Sequence, residues 1–186
     1  MIVSHEREKL IHAIVFFAQN TRYCGKIKLI KLLYLLDFEH FRQTGRSVTG
    51  MDYRAWKMGP VPFEFYQEFD ALEPDLAAAI DIAPEKIIDY TRELIVAKVA
   101  FDDSHFTKRE LRVMGDLAAR FRDSLSKPMV DVTHEELGPW AEIWDGGRGN
   151  DERIPYRLAL AANDPHREAI LASADEYVGL EAAQTH

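Results

Sequence analysis

Lys26-Ile27-Lys28-Leu29-Ile30-Lys31-Leu32-Leu33-Tyr34-Leu35-Leu36-Asp37, running on through His40 and Phe41 to Thr44 and Gly45, decides the fold. Ile27, Ile30, Leu33, Tyr34 and Phe41 recur at helical spacing and line one side of a helix over 26–44. Leu29, Leu32, Leu36 and Phe38 widen that apolar surface well past the stripe of an ordinary surface helix. A helix so apolar belongs at the centre of a fold, packed on more than one side. Gly45 supplies the residue at which such a helix ends.

Elements of both periods flank this centre. Ser4 to Ala18 reads as an amphipathic helix capped by Ser4. Tyr53 to Met58 alternates and reads as a short strand, which Gly59-Pro60 should stop. Pro62 suits the first turn of a helix to about Leu72. Ile87-Ile88 and Leu94-Ile95-Val96 read as a hairpin turning at Asp89 to Glu93, able to join the Tyr53 strand in one antiparallel sheet. Thr107 and Glu110 fit a capping box, with Phe106 and Leu111 placed as a hydrophobic staple, ahead of a helix through Phe121. Further helices are expected over 126–135, from Ile154-Pro155 to about Ala162, and at about 165–183. The fold class is α+β, mainly helical. With no internal repeat and no linker, 1–186 reads as a single domain with a central apolar helix and a small antiparallel β-sheet.

Composition narrows the function. Of 186 residues, 47% are apolar and 29% charged, which is globular composition. No apolar run approaches the ~20 residues of a membrane helix, and the N-terminus lacks the layout of a signal peptide. One cysteine, Cys24, permits no internal disulfide, so a reducing cytoplasm is expected. Arg22 and Lys26 could activate that thiol, although an incidental cysteine is commoner. Residues 1–60 hold 10 Lys/Arg against 5 Asp/Glu, while 61–186 hold 13 against 26. The acidic part argues against broad nucleic-acid binding. Lys26, Lys28, Lys31, Arg42, Arg46, Arg54 and Lys57 could form one positive face, or simply a solvated polar one.

Catalytic and metal signatures fail on inspection. His134-Glu135-Glu136-Leu137-Gly138 has glycine where a helical zinc site needs its second histidine. Gly146 to Asn150 lacks the Gly-Lys-Ser/Thr that grips phosphate, and no Gly-x-Ser-x-Gly elbow is present. Asp37 and His40 share a helix face and could pair as carboxylate and imidazole, but without a second ligand cluster a structural contact is the simpler reading. His12 and His105 are isolated. Neither a metal nor a cofactor is expected. Trp56, Trp140 and Trp144 are candidate interface anchors, each read singly as core, with Trp56 filling space beneath the Gly59-Pro60 turn.

The ordered pattern is more specific than any of these. The stretch from Lys26 to Asp37, then His40, Gly45-Arg46-Ser47-Val48-Thr49-Gly50 and Tyr53-Arg54-Ala55-Trp56-Lys57-Met58-Gly59-Pro60-Val61-Pro62, closely resembles the Panacea domain. That is the SocA-like antitoxin domain of bacterial and phage toxin–antitoxin systems. Phe106-Thr107 with Glu110, Thr133-His134, Pro139-Trp140 and Ile154-Pro155 extend the resemblance over about residues 5–160. Asp151-Glu152-Arg153 and the acidic tail beyond Ala162 follow no such pattern. The resemblance implies a non-enzymatic antitoxin whose partner is a cognate toxin from an adjacent gene, in the setting of phage defence. For some members it also implies a protease that receives the toxin. The family-motif residues, structural or partner-binding, are Tyr34, Asp37, His40, Tyr53, Trp56, Lys57, Gly59, Pro60, His134 and Trp140. The alternatives are a DNA-binding regulator of its own operon and an enzyme of unknown class.

Overall fold

A computed structural model describes residues 5–86, 88, 90–134 and 138–184. Its first helix, α1, spans Glu6–Asn20, and its second, α2, spans Lys26–Thr44. Ser4, expected to cap α1, lies outside the described residues. Gly45 closes α2 in the left-handed region at φ 76°. A side chain there would strike the backbone carbonyl of Ile170 at 2.6 Å, so glycine also permits a close helix approach.

A hairpin follows, of β1 (Tyr53–Trp56) and β2 (Gly59–Pro62), with Tyr53 opposite Pro62 and Trp56 opposite Gly59. Gly59-Pro60 therefore does not stop the strand. It begins the returning one, after a two-residue turn at Lys57-Met58. Prolines at 60 and 62 donate no ladder hydrogen bonds, which suits an edge strand. The other edge of β1 is occupied by the residues around Arg153. Ala55 N donates to Glu152 O at 2.9 Å, and Ile154 N to Tyr53 O at 2.8 Å.

Pro62 caps α3 (Phe63–Glu68), which ends short of the expected Leu72. Then come α4 (Pro74–Ala79), β3 (Ile80–Lys86) and β4 (Thr91–Ala97). The second hairpin was expected to begin at Ile87. It begins at Ile80, and Ile87 and Asp89 lie outside the described residues. Its strands pair only with each other, so there are two two-stranded antiparallel sheets rather than one of three strands. The 151–154 segment, not the second hairpin, lies beside β1.

Helix α5 (Lys108–Arg120) carries its complete capping box: Glu110 N donates to Thr107 Oγ1, and Thr107 N to Glu110 Oε2. Next are α6 (Ser126–Thr133), capped by Leu125 rather than by Ser126, and α7 (Pro139–Trp144). Glu135, the expected end of α6, lies outside the described residues. Tyr156–Ala159 forms a single 3₁₀ turn, and α8 spans Arg167–Gln184.

The fold is α+β and mainly helical, with α2 at its centre. Leu29, Leu32, Leu33 and Leu36 have no solvent exposure. They pack with Ile14 and Phe17 of α1, Met114 and Leu117 of α5, and Met129 of α6 in one cluster. Burying each such side chain contributes about 1.5–3 kcal/mol. The opposite side of α2 offers Tyr34 and Phe38 to a second cluster with Tyr53, Ala55, Trp140 and Ile154. Among the described residues, no helix is long and apolar enough to cross a membrane.

Candidate functional site

Two lysines of α2 overturn the reading of a basic face. Lys28 is fully buried, and its Nζ donates to the carbonyls of Arg22, Phe121 and Ser124 at 2.7–2.8 Å and of Arg122 at 3.2 Å. It thus satisfies carbonyls that the C-terminus of α5 leaves open. Lys31 is 1% exposed, and Pro60 O, at 2.8 Å, is its one acceptor among the described residues. Desolvation pushes its pKa down to about 7. Neither lysine can contribute to a solvated surface. Of the others, Arg42 pairs with Glu39 and Arg54 with Asp151. Lys26 lies over the Tyr66 ring at 3.5 Å.

Lys31 points at the base of the β1–β2 hairpin, where the family-motif residues gather. Gly59 has φ 104°, and a methyl group on it would meet Lys31 Nζ at 2.6 Å and His134 Nε2 at 2.9 Å. Glycine is needed there for both reasons. His134 Nε2 is buried without a hydrogen-bond partner among the described residues. Desolvation, and then the nearby Lys31 cation, hold the imidazole below its usual pKa. Its ring stacks on Trp140 at 3.7 Å between centroids, and Trp140 stacks on Trp144 at 5.6 Å. Trp140 Nε1 donates to Trp56 O at 2.9 Å, tying α7 to the end of β1. Two facing bases, a glycine and a stacked aromatic column thus fix the hairpin from beneath.

Asp37 fixes the hairpin's other end. It is fully buried and accepts from Val48 N and Thr49 N at 2.8 Å, Thr49 Oγ1 at 2.5 Å and Tyr53 Oη at 2.8 Å. Burial pushes its pKa up, and these donors oppose that rise. The carboxylate does not meet His40. The expected pair is absent because the His40 ring turns to the loop after α2, its Nδ1 lying 2.8 Å from Arg46 O. Tyr34 packs between Phe38 and Tyr53, at 4.3 and 5.4 Å, and burial raises its phenol pKa.

Trp56 is not the buried filler expected beneath the turn. It is half-buried, with Nε1 donating to Asp151 Oδ1 at 2.9 Å and its ring meeting Phe63 and Tyr66 at 6.0 and 5.3 Å. Trp140 fills that place instead. Lys57 and Met58 form the exposed tip, with Met58 61% exposed.

Chemistry in the enzymatic sense gains little here. Cys24 is buried, with desolvation raising its thiol to about 11, and Arg22 is engaged by Asp123 rather than by the thiol. Among the described residues, no group of three or more His, Cys, Asp or Glu is placed to hold a metal ion. Lys31 was visible in the sequence but was assigned to solvent. The signal that could have placed it is its position amid the apolar residues that widen α2.

The model of the SocA-like antitoxin, Panacea domain family matches residues 29–141, from the core of α2 through the hairpin to α7. The chain belongs to this family. The match covers Lys31 and all ten named motif residues, from Tyr34 to Trp140. Neither the curated proteins nor the solved structures include a match to the chain.

Proposed function

We propose that this Panacea protein is an antitoxin that neutralises a cognate toxin, encoded by an adjacent gene, by direct stoichiometric binding in the cytoplasm and without chemical turnover. The family match over 29–141 carries this reading. The geometry adds a surface. The base of the β1–β2 hairpin is fixed by Asp37, Lys31, His134 and Trp140, while its tip projects Lys57 and an apolar Met58. A rigid base beneath an exposed tip lowers the ordering cost of binding. Half-buried Trp56, flanked by Phe63 and Tyr66, offers an aromatic anchor beside it. The motif residues then divide in role: Lys57 and Trp56 face the partner, His40 holds the loop after α2, and the others build the platform.

Co-expression with the neighbouring gene should rescue growth, and the two proteins should co-purify at a fixed ratio. Met58→Asp with Lys57→Glu should abolish rescue while leaving the thermal midpoint unchanged. Rescue by strongly substoichiometric protein, with no protease present, would refute sequestration. A toxin whose half-life shortens only when both antitoxin and protease are present would add delivery to the protease as the outcome of binding. The burial of Lys28 and Lys31 counts against the reading as a DNA-binding regulator.

A further inference from the structure

Away from the hairpin, a cleft of about 950 Å3 opens between the N-terminal ends of α1 and α5, the loop following α2, and α8. A second hollow of about 570 Å3 adjoins it, sharing Thr44, Arg109 and Ser173. In a chain of net charge -8, this cleft is lined by cations: Lys9, Arg46, Arg109, Arg153 and Arg157, with Glu6 and Glu110 as its acids. Arg42 and Arg112 line the adjoining hollow, where Asp164 is the acid.

Pairing separates these cations into two kinds. Lys9 is bound to Glu110, Arg153 to Asp52, Arg157 to Asp175 and Arg42 to Glu39. Most arginines elsewhere are paired likewise, as Arg7, Arg92 and Arg148 are. Arg46, Arg109 and Arg112 have no carboxylate partner among the described residues. Arg46 is instead stacked over the Tyr177 ring at 4.5 Å, and Arg109 reaches only the Gln43 carbonyl at 3.3 Å. All three are exposed. Arg109 and Arg112 stand one turn apart on α5, on the same face.

We propose that this cleft binds a phosphorylated small molecule of nucleotide size, its phosphates held by Arg46 and Arg109, with Arg112 in the adjoining hollow. Two unpaired guanidinium groups in one cleft match a chain of phosphates, which each can grip through two parallel hydrogen bonds. A single carboxylate would engage only one of them. The volume lies in the ~300–1,000 Å3 range of small-molecule sites. A long nucleic acid fits less well, because the chain as a whole is acidic. The occupant would touch both α5 and α8, so binding should hold α8 to the body of the fold.

The test uses the full chain with ATP, pyrophosphate and a short single-stranded oligonucleotide as probes, by calorimetry and thermal melting at low salt. ATP should bind and raise the thermal midpoint. Arg46→Ala combined with Arg109→Ala should weaken ATP on the order of a hundredfold, from about tenfold or more for each charged hydrogen-bonding group removed. Both are exposed and make one weak contact each, to Tyr177 and to Gln43 O, so the midpoint without ligand should change little. Arg148→Ala, which removes an arginine paired with Asp145 outside the cleft, should bind as the parent does. Pyrophosphate binding that the double variant also loses would place recognition in the phosphates. No binding of ATP or pyrophosphate at millimolar concentration would overturn the proposal. So would binding that survives the double substitution, or an oligonucleotide that binds where ATP does not.

Discussion

Replacing Lys31 by methionine tests the core of the hairpin base most directly. The ammonium is 1% exposed and has one acceptor, Pro60 O. Desolvation moves its pKa from 10.5 to about 7. At about 1.4 kcal/mol for each pH unit, burying it costs roughly 5 kcal/mol wherever the unfolded chain keeps it protonated and the folded chain must as well. Because the folded value is the lower one, the unfolded state binds the extra proton between about pH 7 and 10.5. Stability of the parent therefore rises with pH across that window and is lowest below it. Lys31→Met has similar length, removes the charge and forfeits one hydrogen bond, leaving Pro60 O unpaired at a cost of about 1–3 kcal/mol. At pH 7 the variant should be as stable as the parent or more so by up to ~3 kcal/mol. By pH 10 that advantage should shrink by roughly 3–4 kcal/mol and reverse. Urea unfolding of both proteins at four pH values between 7 and 10 measures the difference. Titrations common to both chains, such as the buried tyrosines, cancel in it. A difference constant across the window would show that Lys31 titrates as an ordinary lysine, and would refute the buried-base account of the hairpin.

The remaining expectations concern the same region. Asp37→Asn keeps the shape but turns an amide donor toward groups that already donate. It should lose about 2–5 kcal/mol in denaturant unfolding, and an unchanged midpoint would mean that Asp37 is not what fixes the 48–49 loop and Tyr53. Trp140→Ala removes a buried ring and the bond to Trp56 O, and should cost roughly 3–5 kcal/mol. Trp56→Ala should cost only about 1–2 kcal/mol, since the ring is half-buried, yet should weaken toxin capture in a pull-down. Equal destabilisation by the two would remove Trp56 from the interface. Gly59→Ala forces a side chain into the left-handed region and against Lys31 and His134. It should destabilise by at least ~1–3 kcal/mol, and a midpoint within a degree of the parent would show that the two bases do not press on Gly59.

The sequence by itself determined the elements that rest on local chemistry. Helix α2 was legible from Lys26 to Thr44 because its apolar spacing and Gly45 are both local signals. The Thr107–Glu110 capping box was legible because its hydrogen bonds join residues three apart. The family was legible in the order of motifs from Lys26 to Pro155, confirmed by the match over 29–141. What the sequence could not show was which polar residues are buried, because burial depends on segments far away in the chain. Lys28 and Lys31 read as surface cations until α5 and the hairpin were laid across α2. Asp37 and His40 read as a pair from their spacing, but the loop after α2 supplied each with better partners. Gly59-Pro60 read as a stop, because strand pairing with β1 is decided across the turn rather than within the dipeptide. The second partner of β1 comes from residues 151–154, nearly a hundred positions away. Periodicity and capping are set within a few residues of chain. Register, burial and the pKa of Lys31 are set by packing, and only the tertiary structure decides them.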